Sequence, residues 1–455
     1  MRVLLWLCLV TLPIFASSDA YVNLSLEKAV EILKKENLEV SVARFDEQIK
    51  QYEHELAKSH NYGKLDFVQT AIRSNDAGNV FGFKLQSREA TFGDFGAEEF
   101  MNNFMAGKPD YDTPPHDLNY PGSRNHFQTK LQYQLPIYVG GKLEQYGKIT
   151  NALHKLSIID TQKILSEKLY QLKKSYYDIY LLDTYISNLN KITKNMNKLE
   201  NMAQNMIDEG YAKKVDLLEV QAKKANVTRM LYKAKANKEL AYQFISFLLN
   251  AEVTSISGDM DEISSKDYSI VMILQNNLDI KKAKQGLDIT EMSIDLNKAS
   301  NLPEIGAFAE YSSADDSFLG DFTDHDAYTV GIELRWNIFN GGGSSNSIEK
   351  ARVENLKVKE QVKLAQRGII LRVKKIKTEI KSYNFDIDSL HKEIELTRSI
   401  YENYLGRYQE KIVSINDVII KESLEIEKVL KLNEVQNSRT SKILELEKIA
   451  NGEKI

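Results

Sequence analysis

The chain has 455 residues, 27% of them charged, with a net charge of -4 and a pI near 6.1. Acidic and basic residues are interspersed, which excludes the basic stripe that a nucleic acid or an anionic membrane surface would attract. Seven prolines and 22 glycines are too few to punctuate a string of small globular units.

The first expected element is a secretory leader, residues 1–20. One arginine precedes an apolar run from Val3 to Ala16 and a cluster of small residues, so cleavage is expected between about Ser18 and Tyr21. The run is too short to span a bilayer as a helix. Cys8 is the only cysteine and lies inside that run without a lipobox, so the mature chain is expected to have no disulfide and no thiolate metal site. No later stretch approaches the apolar length of a membrane helix, so any crossing must be made by β-strands.

From residue 21 the chain reads twice as helix, strand, loop, strand, long helix, turn, helix. The first repeat is expected over 21–250, with a β-hairpin at 62–138 and a helical hairpin at 142–250. A linker follows at 251–268. The second repeat is expected over 269–455, with a β-hairpin at 303–339 and a helical hairpin at 344–450. One offset lays `PIYVGG` from Pro136 on `NIFNGG` from Asn337, and `GYAKKVDLLEVQ` from Gly210 on `KIVSINDVIIKE` from Lys411. A different offset pairs `ENLEVSVA` from Glu36 with `NNLDIKKA` from Asn276, so the first copy carries an insertion of about 39 residues.

The strands alternate with period two. Phe127, Thr129, Leu131, Tyr133, Leu135 and Ile137 oppose Gln128, Lys130, Gln132 and Gln134, and Tyr328, Val330, Ile332, Leu334, Trp336 and Ile338 oppose Thr329, Gly331, Glu333, Arg335 and Asn337. An apolar face with aromatics near its ends, backed by a polar face, fits a membrane barrel strand, and equally a half-buried antiparallel sheet. About four strands per chain cannot close a barrel alone. Each second strand runs into glycines and then a helix, so Pro136, Gly140 and Gly141, and Gly341 and Gly342, are expected to be strand-to-helix junctions where positive φ is needed.

The following helix is expected from about Lys142 to Asp208, roughly 100 Å long at the usual rise. Leu165, Leu169, Leu172, Tyr176, Ile179, Leu182, Ile186, Leu189, Ile192, Met196, Leu199 and Met206 follow one another mostly by threes and fours, the spacing of a coiled-coil seam. The next helix is richer in alanine, and its counterpart is expected from near Ser414 to about Ala450. Asp216 and Asp417 fall in the first turns of these helices, where a carboxylate is favoured by free N–H groups and the helix dipole.

The paired `PIYVGGK` and `NIFNGGG` junctions, the paired `EGYAKKVDLLEVQ` and `EKIVSINDVIIKE` tips and the internal duplication resemble the TolC-type outer membrane efflux protein family over essentially the whole mature chain. The segments `SNDAGNVFGFKLQSREATFGDFGAEEF` and `DLNYPGSRNHF` resemble the long first hairpin loop of one branch of that family. The resemblance implies a mainly α fold with transmembrane β: a coiled-coil α-helical barrel joined to an outer-membrane β-barrel, four strands from each chain of a homotrimer. It implies partnership with a periplasmic adaptor protein and an inner-membrane pump of RND or ABC type. It also implies a place in the outer membrane of a Gram-negative bacterium, reaching into the periplasm.

By the same resemblance Asp417 matches an aspartate ring at the periplasmic aperture and Tyr408 a closing contact, with Asp216 the related position in the first copy. Gly210, Tyr211, Lys411 and Ile412 match the adaptor-facing tips. Ile420, Val413 and Lys411 depart from the family pattern of a second aspartate, an arginine and a tip glycine, which implies a single ring and a different closing network. Helix-start stabilisation alone remains an alternative role for Asp417 and Asp216.

Enzyme chemistry has no foothold. There is no GxSxG, no P-loop, no HExxH and no cysteine nucleophile with a supporting base. No cofactor or metal is expected: the acidic stretch `SSADDSFLGDFTDHDAY` lacks the spacing of an EF-hand loop and reads as a solvated loop. The function that the resemblance implies is a passive exit duct of a tripartite efflux or type I secretion system, in contact with outer-membrane lipid. The competing reading is a periplasmic coiled-coil adaptor or structural protein without a channel.

Overall fold

The computed structural model describes residues 20–257, 263–318, 320 and 323–451. The expected leader lies outside the described residues up to position 19. In chain order the elements are α1 (Leu26–Glu36), α2 (Leu38–Ser59), β1 (Lys64–Ser74), α3 (Ala77–Gln86), α4 (Ala97–Met105), α5 (His116–Asn119) and β2 (Arg124–Val139). They continue with α6 (Lys142–Asp208), α7 (Lys214–Leu249), α8 (Ile270–Asn276), α9 (Leu278–Ala299), β3 (Glu304–Asp315), β4 (Asp326–Arg335), α10 (Gly343–Gln409) and α11 (Ile415–Asn451). The described residues form two compact units, one of those up to 48, between 155 and 286 and from 358 onward, the other of those between 49 and 154 and between 287 and 357. Each unit draws on both sequence repeats.

The second unit holds a four-stranded antiparallel sheet in the order β1-β2-β3-β4. Directly opposed residues share a face, so the register aligns Phe67, Leu131, Tyr311 and Tyr328, and beside them Leu65, Tyr133, Ala309 and Val330. Many of these apolar side chains stand exposed: Phe67, Leu131, Tyr328, Val330, Ile332 and Leu334 among them. The opposite face carries ion pairs, Lys64 with Asp66 (2.9 Å), Lys130 with Glu310 (3.0 Å) and Arg335 with Glu333 (2.7 Å). Strand β4 stops at Arg335, short of the alternation that the sequence carries to Ile338, because its last partner on β3 is Glu304. Pro303 precedes Glu304 and has no N–H with which to extend the ladder. Trp336, which the alternation puts in the strand, instead donates its indole N–H to the Asn301 carbonyl at 3.1 Å.

The first unit is helical. Leu189, Ile192, Met196 and Leu199 of α6, Val220 and Val227 of α7, Tyr401 and Tyr408 of α10 and Val418 and Ile426 of α11 close one core. Most of the seam residues read from the sequence are buried, Leu172 and Tyr176 completely. The repeat is visible atom by atom at Asn37 and Asn277. Asn37 ends α1 by donating its N–H to the Leu33 carbonyl (3.2 Å), opens α2 by accepting the Val40 N–H on Oδ1 (3.0 Å), and donates Nδ2 to the Leu248 carbonyl at the end of α7 (2.8 Å). Asn277 does the same between α8 and α9, with Ile273 (2.9 Å), Ile280 (3.1 Å) and the Ile449 carbonyl of α11 (3.2 Å). One buried residue thus serves as the C-cap of one helix through its backbone N–H and as the N-cap of the next through its side chain.

One amphipathic surface has no partner among the described residues. Leu38, Val42, Phe45, Ile49, Tyr52 and Leu56 of α2 recur at alternating steps of four and three, and all are exposed. Heptad spacing is the spacing of a helix that packs on another helix, and a continuous apolar stripe of this kind is costly in water.

Candidate functional site

The junctions are built alike. Strand β2 ends at Val139 and α6 begins at Lys142, and between them Gly140 and Gly141 take φ of 65° and 81°. Before α10, Gly341 and Gly342 take 64° and 83°. All four lie in the left-handed region that costs an L side chain about 1–2 kcal/mol. At Gly140 a Cβ would also stand 2.4 Å from the Ala299 carbonyl oxygen, whereas at Gly341 it would meet nothing within 4 Å. Pro136 lies in β2 beside the bulge that shifts the register between positions 136 and 138.

The two interhelical turns are also duplicates. Gly210 has φ of 81°, its N–H reaches the Ile207 carbonyl (2.9 Å) and the Tyr211 N–H reaches the Met206 carbonyl (2.7 Å). Lys411 has φ of 63°, its N–H reaches the Tyr408 carbonyl (2.9 Å) and the Ile412 N–H reaches the Arg407 carbonyl (2.9 Å). Both are Schellman turns, and the second holds a lysine where glycine is favoured. The two turns touch: the Lys411 ammonium sits 3.4 Å from the centre of the Tyr211 ring and 3.5 Å from Glu209 Oε2. Tyr211 and Ile412 are exposed.

Asp216 and Asp417 cap their helices. Asp216 Oδ2 accepts the Lys213 N–H (2.8 Å). Asp417 Oδ2 accepts the Ser414 N–H (3.1 Å) and hydroxyl (2.7 Å), while Ser414 Oγ accepts the Asp417 N–H (3.3 Å). That reciprocal arrangement is a capping box. The hydrogen bond from the Ser414 hydroxyl, then that from its N–H, hold the Asp417 carboxyl below the usual aspartate range, so it is charged at neutral pH. Tyr408 is buried, and within the described residues its hydroxyl has no hydrogen-bond partner. Burial, with the charge of Asp216 second, pushes its phenol up.

Sequence reasoning missed a buried acidic group in the same core. Glu422 is fully buried on α11, neither of its carboxylate oxygens meets a donor in good hydrogen-bond geometry among the described residues, and burial followed by the charge of Glu425 pushes its pKa up to about 8. Asn195 of α6, Arg398 of α10 and Lys223 of α7 act in the opposite direction. Glu425 is paired with Arg398 Nε at 2.9 Å beside the buried Tyr401 hydroxyl, which has no hydrogen-bond partner among the described residues. The signal was available: Val418, Glu422, Ile426 and Val429 follow by fours and three, which puts a carboxylate at a seam position.

The structure brings Tyr211 and Lys411 together and sets Tyr408 in the field of Asp216. It assigns the junction glycines and the turn residues to different units. In the acidic stretch, Asp315 and Asp316 gather with Glu89, and Arg124 pairs with Glu89 and lies 4.0 Å from Asp316.

Residues 269–451 match the family described as outer membrane efflux protein. A relative, the outer membrane efflux protein BepC of Brucella suis biovar 1 (strain 1330), is 22% identical over 201 residues, which spans 44% of this chain and 44% of that protein. The chain also resembles the solved structures of the CmeC outer membrane channel of Campylobacter jejuni (TM-score 0.75, 14% identity, 94% of this chain and 86% of that one) and of the outer membrane protein VceC of Vibrio cholerae (0.75, 14%, 94% and 97%). A third likeness is to the MtrE outer membrane channel of Neisseria gonorrhoeae (0.73, 12%, 94% and 89%). These likenesses give the fold: long helices with a small antiparallel sheet.

Proposed function

We propose, for a chain whose residues 269–451 match the outer membrane efflux protein family, that it is the outer-membrane exit duct of a tripartite efflux or secretion system and conducts cargo passively. The proteins it resembles are channels, not enzymes. The observation that carries the reading is the sheet: one face apolar and exposed, the other lined with ion pairs, and both outer strands, β1 and β4, unpaired on one side among the described residues. A sheet of that kind is satisfied on all sides when its edges pair with those of other copies, its apolar face meets lipid and its charged face meets water. Three chains of four strands would make a twelve-stranded barrel. The exposed heptad stripe of α2 supports a helix-to-helix contact between copies in the same assembly.

On this reading the four glycines convert a lipid-facing strand into a helix that continues the wall in water, through the periplasm. The Gly210–Tyr211 and Lys411–Ile412 turns are the ends that a periplasmic adaptor contacts, and an inner-membrane pump supplies the energy. Asp417 contributes one carboxylate per chain to a ring at the aperture. An adaptor without a channel would leave the exposed apolar sheet face without a purpose. Purification in detergent followed by native mass measurement and planar-bilayer recording tests the proposal. A trimer that conducts ions is expected; a detergent-free soluble monomer would overturn it.

A further inference from the structure

The 49 residues between β1 and β2, 75–123, are expected from the sequence to be a loop, yet they fold into short helices, α3, α4 and α5, and a turn at Phe92–Phe95. Their internal contacts are specific. Lys84 pairs with Asp94, which caps the Phe92 turn through the Thr91 N–H (2.7 Å). Asn103 donates to Thr113 Oγ1 (2.8 Å), and Phe81 meets Phe95 edge-on at 5.4 Å. The segment is a built subdomain.

Where it sits is decided by one ring stack. Phe83 of α3 lies flat on His126 of β2, centroids 4.1 Å apart and planes 6° apart, and both residues are buried. His126 shares the alternation of Gln128, Lys130, Gln132 and Gln134, so α3 covers the charged face of the sheet, not the apolar one. Ala314, opposite Gln128 on β3, is buried on that same face. His126 lies near the end of β2 remote from Gly140. The segment is also tied across to the second hairpin, where Arg88 donates Nη1 to the Asp324 carbonyl (3.0 Å) and Nη2 to the Asp326 carbonyl, and it is held to the start of β2 by the pair of Glu89 with Arg124. Arg88 adopts φ of 54° to end α3, so a strained residue makes the tie.

Resting on the channel reading above, we infer that residues 75–123 form an outer plug, folded over the water-filled side of the barrel at its external end and held there by the Phe83–His126 stack and the Arg88 tie. Three copies facing one another across a twelve-stranded barrel would narrow its outer mouth. The plug would then set the size of what leaves, independently of any closure at the helical turns.

Cysteine labelling of the full chain in the outer membrane of intact cells tests this. The mature sequence has no native cysteine on the expected cleavage. Gln132→Cys reports the charged face below α3, and Val330→Cys the apolar face. A small charged thiosulfonate added outside is expected to modify Gln132→Cys, whereas a maleimide on a bulky hydrophilic polymer is expected to fail. Adding Phe83→Ala and Arg88→Ala is expected to restore modification by the bulky reagent. Ready modification of Gln132→Cys by that reagent with the segment unaltered would overturn the plug, and so would its failure once both contacts are removed. The first of these needs no destabilised variant, and Arg88→Ala alone, at an exposed side chain, is a milder second. Modification of Val330→Cys rather than Gln132→Cys by the small charged reagent would instead mean that the faces are reversed, and the channel reading itself would fall.

Discussion

Glu422 is a carboxyl that must be neutral to stay where it is. Its pKa is pushed up to about 8 in the folded chain, against the ordinary glutamate range when unfolded. The proton is therefore bound more tightly in the fold, and stability is greatest below the unfolded value and declines as pH rises towards about 8. Glu422→Gln keeps the shape and removes the titration. The variant is expected to melt higher than the parent at pH 9, by on the order of 2 kcal/mol, with the difference shrinking at pH 5; equal melting curves at both pH values would contradict this. Asp417 presents the opposite case, a carboxylate kept charged by Ser414. If three copies ring an aperture, Asp417→Ala should abolish block by a multivalent cation applied from the periplasmic side in bilayer recordings. Asp216→Ala should leave the block intact and cost only a helix start, about 0.5–2 kcal/mol. Retained block in Asp417→Ala would reduce that residue to its capping box. Helix-start aspartates were legible in sequence because capping depends on three neighbouring residues. The seam position of Glu422 was legible too, from its spacing. That Glu422 and the Tyr408 hydroxyl find no hydrogen-bond partner among the described residues was not, since it depends on which helices surround them.

The junctions show how far local chemistry reaches at the scale of an element. Paired glycines between a period-two run and a heptad run were readable as left-handed backbone, and all four have positive φ. The difference between them was not readable, because the Ala299 carbonyl that crowds Gly140 is remote in sequence. Gly341→Ala is expected to lower stability by about 1–2 kcal/mol through backbone strain alone. Gly140→Ala adds a clash with a main-chain oxygen and should cost clearly more, as measured by thermal melting in detergent; equal losses would mean that the α9 end gives way. The limits of α6 and α11 follow from sequence periodicity and turn signals. The end of β4 does not, because a ladder needs a partner as well as an alternation. The helices of 75–123 escaped the strand-and-loop pattern for another reason: they are short, and their support comes from contacts such as Phe83 on His126.

For the whole molecule, the α2 stripe predicts how copies associate. Phe45→Lys with Tyr52→Lys places two charges in an exposed apolar seam without disturbing the buried core of the same chain. The double variant is expected to shift the native mass in detergent from trimer towards monomer, while its helix content by circular dichroism stays unchanged; an intact trimer would assign the stripe elsewhere. The doubled asparagines have a mechanical consequence. A helix broken by proline or glycine is compliant because backbone bonds are missing at the break. At Asn37 and Asn277 the bonds described above are all made, and a third bond fastens each break to the last turn of α7 or α11. These breaks should behave as corner braces rather than hinges. The Val40 and Ile280 amides, each held by a buried side-chain oxygen, should then be among the slowest in the chain to exchange with deuterium. A torque applied to α2 or α9 would be handed directly to the helix that carries the matching interhelical turn.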